Sequence, residues 1–114
     1  MAKRYPRREK RKVRENTARK ILAKVIAAKA FRCNDGQVFQ DLKGLAEGLE
    51  RMSDETFSYH CNENKNDFSI WVLEVVGDED LAKKLKTPQN RQQAQELVKQ
   101  RYDELFGIED ITRF

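Results

Sequence analysis

The stretch Asp41-Leu42-Lys43-Gly44-Leu45-Ala46-Glu47-Gly48-Leu49-Glu50-Arg51-Met52 decides how the rest of this 114-residue chain is read. Leu42, Leu45, Ala46, Leu49 and Met52 recur at three- and four-residue intervals, so a helix gathers them on one face. Asp41 stands just before the run, where a carboxylate accepts a free N–H of the first turn. Gly44 and Gly48 weaken such a helix by about 1 kcal/mol each relative to Ala. Their four-residue spacing also puts them on one face, which allows close approach by a neighbouring element.

Working outward, the upstream neighbour is Ala30-Phe31-Arg32-Cys33, then Asn34-Asp35-Gly36, then Gln37-Val38-Phe39. Two short alternating runs about an Asn-Asp-Gly turn predict a β-hairpin over residues 30–40, with Gly36 supplying the positive φ. A lone hairpin is marginal in water and must pack on helices. Downstream, Ser53 opens a second capped turn that brings Phe57 inward, together with His60 and Cys61. Asn62 to Asn66 is a polar loop. Asn66 or Asp67 then caps a helix carrying Phe68, Trp71, Val72, Val75 and Val76, and Gly77 ends it at the C′ position. Asp78 restarts a short helix with Leu81, Ala82 and Leu85. Thr87-Pro88 is an N-cap–N1 signal for a last helix bearing Ala94, Leu97, Val98, Tyr102, Leu105 and Phe106, closed by Gly107. Ile111 and Phe114 in the remaining tail are expected to fold back onto the body.

Upstream of the hairpin, Ala18, Ile21, Leu22, Val25 and Ile26 share one arc while Lys20 and Lys24 lie nearly opposite. This predicts an anchoring amphipathic helix over residues 15–29. Residues 1–14 carry charge on every side of a helical wheel and no face to bury. They read as a basic arm, disordered alone or helical when bound. The expected fold is therefore mainly α: a small helical domain (residues 15–114, helices over 41–107) with one β-hairpin and a basic N-terminal helix or arm.

Phe31, the Asp35-Gly36 turn, Leu42 to Leu49, Met52-Ser53-Asp54-Glu55, Phe57, His60, Asn66-Asp67-Phe68, Trp71 and Gly77-Asp78-Glu79-Asp80-Leu81-Ala82 together form a recognisable pattern. In these residues the stretch from Phe31 to Leu85 resembles an uncharacterised small domain of archaeal and some bacterial proteins, found alone or appended to other modules. The resemblance covers about half of the chain. It implies a cytoplasmic, archaeal-like, α-rich module and carries no established activity.

Charge is the strongest functional statement in the sequence. Residues 1–29 hold twelve Lys/Arg and two Glu, a net +10, while residues 30–114 hold 11 basic and 17 acidic residues, a net −6. The overall +4 conceals a basic arm fused to an acidic body. No apolar run reaches the ~18 residues of a membrane span. No apolar stretch with a cleavage site follows the basic N-terminus, so a cytoplasmic location is expected. The arm has no apolar face to lay on a bilayer. No internal repeat, phosphate-binding Gly-rich loop, paired-carboxylate signature or nucleophile motif is present.

Cys33, Cys61 and the single histidine, His60, are the other chemistry-bearing groups. His60 and Cys61 project about 100° apart if helical and cannot pair with each other. Cys33 could meet His60 across the fold with Asp67 orienting the imidazole. The favoured reading makes both cysteines small core hydrophobes and His60 a packed or capping group. Three soft ligands at no recognised spacing do not make a zinc site. No catalytic residue, metal or cofactor is expected, and the protein is read as a non-enzyme. Tyr59 and Trp71 could stack on bases, but Phe68, Trp71, Val72 and Val75 fall at core spacing. Glu74, Asp78, Glu79 and Asp80 read as a solvated acidic face that could also dock basic proteins, ribosomal ones included.

The arm contributes Lys3, Arg4, Arg7, Arg8, Lys10, Arg11, Lys12 and Arg14, with Arg19, Lys20 and Lys24 flanking its base. Cations on all sides suit a segment surrounded by phosphate, such as one threaded into folded RNA, and Arg offers bidentate phosphate contact. A nuclear-import signal would have the same composition. The expected function is RNA binding as an accessory protein of the ribosome or another ribonucleoprotein. The alternatives are DNA binding and a protein-interaction module with an ancillary basic tail. Neither a membrane nor a small-molecule substrate is expected.

Overall fold

The structure, a computed structural model, describes residues 16–88 and 90–110. The arm cations from Lys3 to Arg14, Ile111 and Phe114 lie outside the described residues. Residues 16–22 form helix α1, and an extended segment leads to a single 3-10 turn at Ala27–Lys29. Strands β1 (Phe31–Arg32) and β2 (Val38–Phe39) follow, then α2 (Leu42–Arg51), α3 (Asp54–His60) and α4 (Asp67–Trp71). A π-helical turn, Val72–Val76, prolongs α4 before α5 (Glu79–Lys84) and α6 (Arg91–Asp110). The described fold is helical apart from this one antiparallel hairpin, as the hydrophobic periodicity predicts.

The hinge of the packing is the glycine gap in α2. Leu42, Leu45 and Leu49 are fully buried, each contributing about 1.5–3 kcal/mol of transfer free energy. Between them, Phe39 of β2 lays its ring so close to Gly48 that a Cβ there would overlap the ring atoms. Gly48 is thus the close-approach position that its spacing suggests, and the helix accepts a poor propensity in exchange for hairpin docking. Phe31 of β1 lies beside it, its ring 5.9 Å from Phe39, 5.1 Å from Phe68 and 5.9 Å from Trp71. The Trp71 indole N–H donates to Lys29 O at 2.9 Å, so a buried aromatic also holds the turn before β1. Helix α6 lies along α2 and adds Ala94, Val98 and Leu105 to the same core.

Helix starts follow the capping residues. Asp41 accepts the Gly44 N–H, Ser53 the Thr56 N–H, Asn66 the Ser69 N–H and Asp78 the Leu81 N–H. Gly77 ends the π turn at φ 86, donating to Val72 O across five residues, and Gly36 takes φ 94 in the hairpin turn. The loop after α3 is tighter than a plain polar loop: Cys61 and Asn66 form an isolated antiparallel bridge, and the Asn62 N–H donates to Lys65 O.

Three boundaries differ from the sequence reading. The anchoring helix expected to reach residue 29 ends at residue 22. β-branched Val25 and Ile26 prefer extended backbone, and Val25 pairs with Gln40 in both directions (Val25 N–H to Gln40 O, 2.7 Å; Gln40 Nε2 to Val25 O, 3.1 Å). Ile26 is consequently 66% exposed rather than on the buried arc. The last helix starts not at Thr87-Pro88 but after Asn90, whose Oδ1 accepts the Gln93 N–H. The carbonyls of Leu85 and Lys86 are engaged by Asn66 Nδ2, which keeps the chain turning past Thr87. At the other end α6 runs through Gly107 to Asp110.

Candidate nucleic-acid interface

Helix α1 is docked by Ala18 and Ile21, both buried, and its Arg19 and Lys20 face solvent. Lys24 follows in the extended segment held against Gln40, also exposed. These three sequence-predicted cations therefore sit at the root of the arm on backbone fixed to the body. None makes an ion pair among the described residues.

The contrast with the rest of the chain is sharp. Between residues 16 and 43 there are six basic residues and two acidic ones, Asp35 and Asp41. Asp35 accepts from the backbone N–H and side-chain amide of Gln37, which hold its carboxyl below the usual range. Asp41 caps α2. Arg19, Lys20, Lys24, Lys29, Arg32 and Lys43 are all exposed and without an ion pair among the described residues. In residues 44–110, by contrast, five of eight cations are paired: Arg51 with Glu47, Lys65 with Asp67, Arg91 with Asp54, Lys99 with Asp103, and Arg101 with Asp78. Most of the described body cations are used internally, whereas those of residues 16–43 make no ion pair among the described residues.

Two body arginines are structural, and sequence reading misses both. Arg91 donates to Leu49 O at 2.8 Å and Glu50 O at 3.0 Å, capping the C-terminus of α2, while its Nε meets Asp54 at 2.9 Å. Arg101, 16% exposed, grips Asp78 with Nε and Nη2 at 2.7 and 3.1 Å. Asp78 is only 2% exposed, so it does not belong to a solvated acidic face with Glu74, Glu79 and Asp80. It is a buried N-cap whose charge Arg101 neutralises. Donation of these hydrogen bonds to the Asp78 carboxylate raises the Arg101 pKa further, against the opposing effect of burial. Nothing in the local spacing signals a pair separated by 23 residues.

His60 is a packed, doubly bonded side chain. Its Nε2 accepts the Asn34 N–H at 2.9 Å, so Nδ1 carries the proton and donates to Asp67 Oδ2 at 3.0 Å. Rings of Phe31, Tyr59 and Phe68 surround it. Asp67 orients the imidazole as its position suggests. The nitrogen that would face a substrate or thiol is occupied by backbone of the hairpin turn. Burial would raise Asp67, but the hydrogen bonds from His60 and Lys65 outweigh it and hold the carboxyl low. Cys33 is buried and Cys61 half-buried, and desolvation pushes both thiols up, away from the reactive thiolate. Trp71 is core, as its spacing predicts, whereas Tyr59 is exposed with Lys65 Nζ 4.5 Å from its ring centre.

An open cleft of about 610 Å³ lies where α3 meets the start of α6, with Phe57, Cys61 and Pro88 among its apolar lining and Lys86, Asp54 and Arg91 at its edges. Arg91 and Asp54 are spent on each other there. Among the described residues no cluster of His, Cys, Asp or Glu is placed to hold a metal ion, and no helix is long and apolar enough to cross a membrane. No family model, curated protein or solved structure matches the chain.

Proposed function

We propose that the protein is a non-catalytic RNA-binding accessory protein of a ribonucleoprotein, the ribosome foremost, that contacts phosphates through its basic N-terminal part. The observation that carries this reading is the partition of ion pairing. Every described cation up to residue 43 is exposed and without an ion pair among the described residues, whereas most of those after it are paired. Unpaired cations on docked backbone bind an external polyanion without first breaking an internal pair. Each phosphate contact releases condensed counterions, so the eight cations of residues 3–14 act together. Residues 44–114 carry 15 acidic against nine basic residues. That excess repels a phosphate backbone and orients the molecule with its N-terminal part inward.

Co-sedimentation with purified ribosomal subunits and with protein-free structured RNA, at low and high salt, tests the reading. The chain is expected to pellet with RNA-containing particles at low salt and to be released as salt rises. Pelleting that is insensitive to salt, or binding to duplex DNA in preference to RNA, would replace this reading with a protein-docking or a DNA-binding one.

A further inference from the structure

The hairpin has two faces of opposite character. Phe31 and Phe39 are cross-strand partners on the inner face, stacked into the core. Arg32 and Val38 are the partners on the outer face, both exposed, Val38 by 51%. Just before β1, the Lys29 carbonyl is held by the Trp71 indole, which fixes its backbone while the side chain stays in solvent. Lys29 and Arg32 are three residues apart, so their Cα atoms lie within about 11 Å of each other. The Val25–Gln40 pairing brings Lys24 to the end of β2. Neither nearby carboxylate is ion-paired with these cations among the described residues: Asp35 is bonded to Gln37 and Asp41 to the α2 N-terminus.

We infer that the outer face of this hairpin, with Lys29 and Arg32 as its cations, is a second RNA-backbone contact on the folded body, continuous with the root of the arm. The inference rests on the RNA reading above and extends it to residues outside the arm. Charge complementarity selects the occupant. Protein interfaces are centred on aromatic or apolar anchors and depleted of Lys, whereas the outer face of the ladder carries one aliphatic residue, Val38, opposite Arg32, which like Lys29 makes no ion pair among the described residues. Backbone held by Trp71 and by the β-ladder presents these cations at little ordering cost. The arm supplies reach, and the hairpin supplies a fixed point that sets how the body sits on the RNA.

The test is fluorescence anisotropy of the full chain on a labelled single-stranded RNA across a salt series. Two full-length variants accompany it: Lys29→Gln/Arg32→Gln, and one with the arm cations Lys3 to Arg14 replaced by Gln. Thermal melts of all three check that the fold is kept. The hairpin variant is expected to flatten the slope of log K against log salt by about 1.4, two contacts at about 0.7 each. The arm variant is expected to retain weak, salt-sensitive RNA binding. A hairpin variant with the wild-type slope and affinity overturns the inference while the RNA reading stands. Failure of the full chain to bind RNA at low salt removes both.

Discussion

Gly48 shows how one side chain's absence sets the packing. An Ala there gains about 1 kcal/mol of helix propensity but drives its Cβ into the Phe39 ring, which the strand backbone holds in place. Overpacking of this kind costs about 1–3 kcal/mol, so Gly48→Ala is expected to lower the urea midpoint. At Gly44 the one tight contact of a Cβ is Asp41 Oδ1, at 3.1 Å, with Phe39 Cα and Cβ at an ordinary 3.8 Å, and Gly44→Ala is expected to be near neutral. The pair was legible in the sequence as a face open to close approach, but which glycine the neighbour presses on was not. The buried Asp78–Arg101 pair makes a larger prediction. Arg101→Met strands a buried carboxylate and is expected to cost about 3–5 kcal/mol by denaturant unfolding. Asp67 makes a prediction in pH. Its folded pKa lies below its unfolded one, so its stabilisation is present above the ordinary carboxyl value of about 4 and is lost as pH falls through the lower folded value. The acid limb of stability against pH is expected to be shallower in Asp67→Asn than in the wild type.

At the scale of elements, local chemistry was readable where the determinant is local. Asp41, Ser53 and Asp78 each sit one residue before the helix they were expected to start, of the two residues offered for the next helix Asn66 rather than Asp67 is the cap, and each of the four accepts an N–H of its first turn. Gly77 and Gly36 adopt the positive φ that their turns require. Reading failed where a distant partner decides. The helix through α1 stops because Gln40, 15 residues on, offers Val25 a ladder-like pairing. Thr87-Pro88 does not start α6, because the carbonyls just before it belong to Asn66. Arg91 shows the same dependence, since it closes α2 from 41 and 42 residues away. Arg91→Ala leaves those carbonyls and Asp54 without it, and is expected to cost about 1.5–3 kcal/mol, the range for hydrogen bonds to charged groups. Thermal unfolding of the variant measures it.

Across the whole molecule, the division of charge is plain from the sequence as arithmetic, and the fold adds where each charge is spent. The sequence marked Arg19, Lys20 and Lys24 as exposed cations at the base of an arm, and α1 and the extended segment place them so. It gave no weight to Lys29 and Arg32, although the alternation Phe31-Arg32-Cys33 already turns Arg32 away from the core. Their significance depends on knowing that Asp35 and Asp41 are bonded elsewhere, which only three-dimensional pairing reveals. Likewise Asp78 counted as surface charge until Arg101 was found against it. The picture is of a folded acidic body that pairs most of its described cations, preceded by residues 16–43 whose cations are exposed and make no ion pair among the described residues, the contrast on which the proposed polyanion contact rests.

The salt dependence of RNA binding by the full chain, set beside the arm-neutralised chain, tests that picture most directly. Six or more phosphate contacts give a slope of log K on log salt of about −4 or steeper on single strands. The account predicts such a slope, and its reduction by more than half when Lys3, Arg4, Arg7, Arg8, Lys10, Arg11, Lys12 and Arg14 become Gln. A shallow slope, or a steep one that survives neutralisation of the arm unchanged, would contradict it.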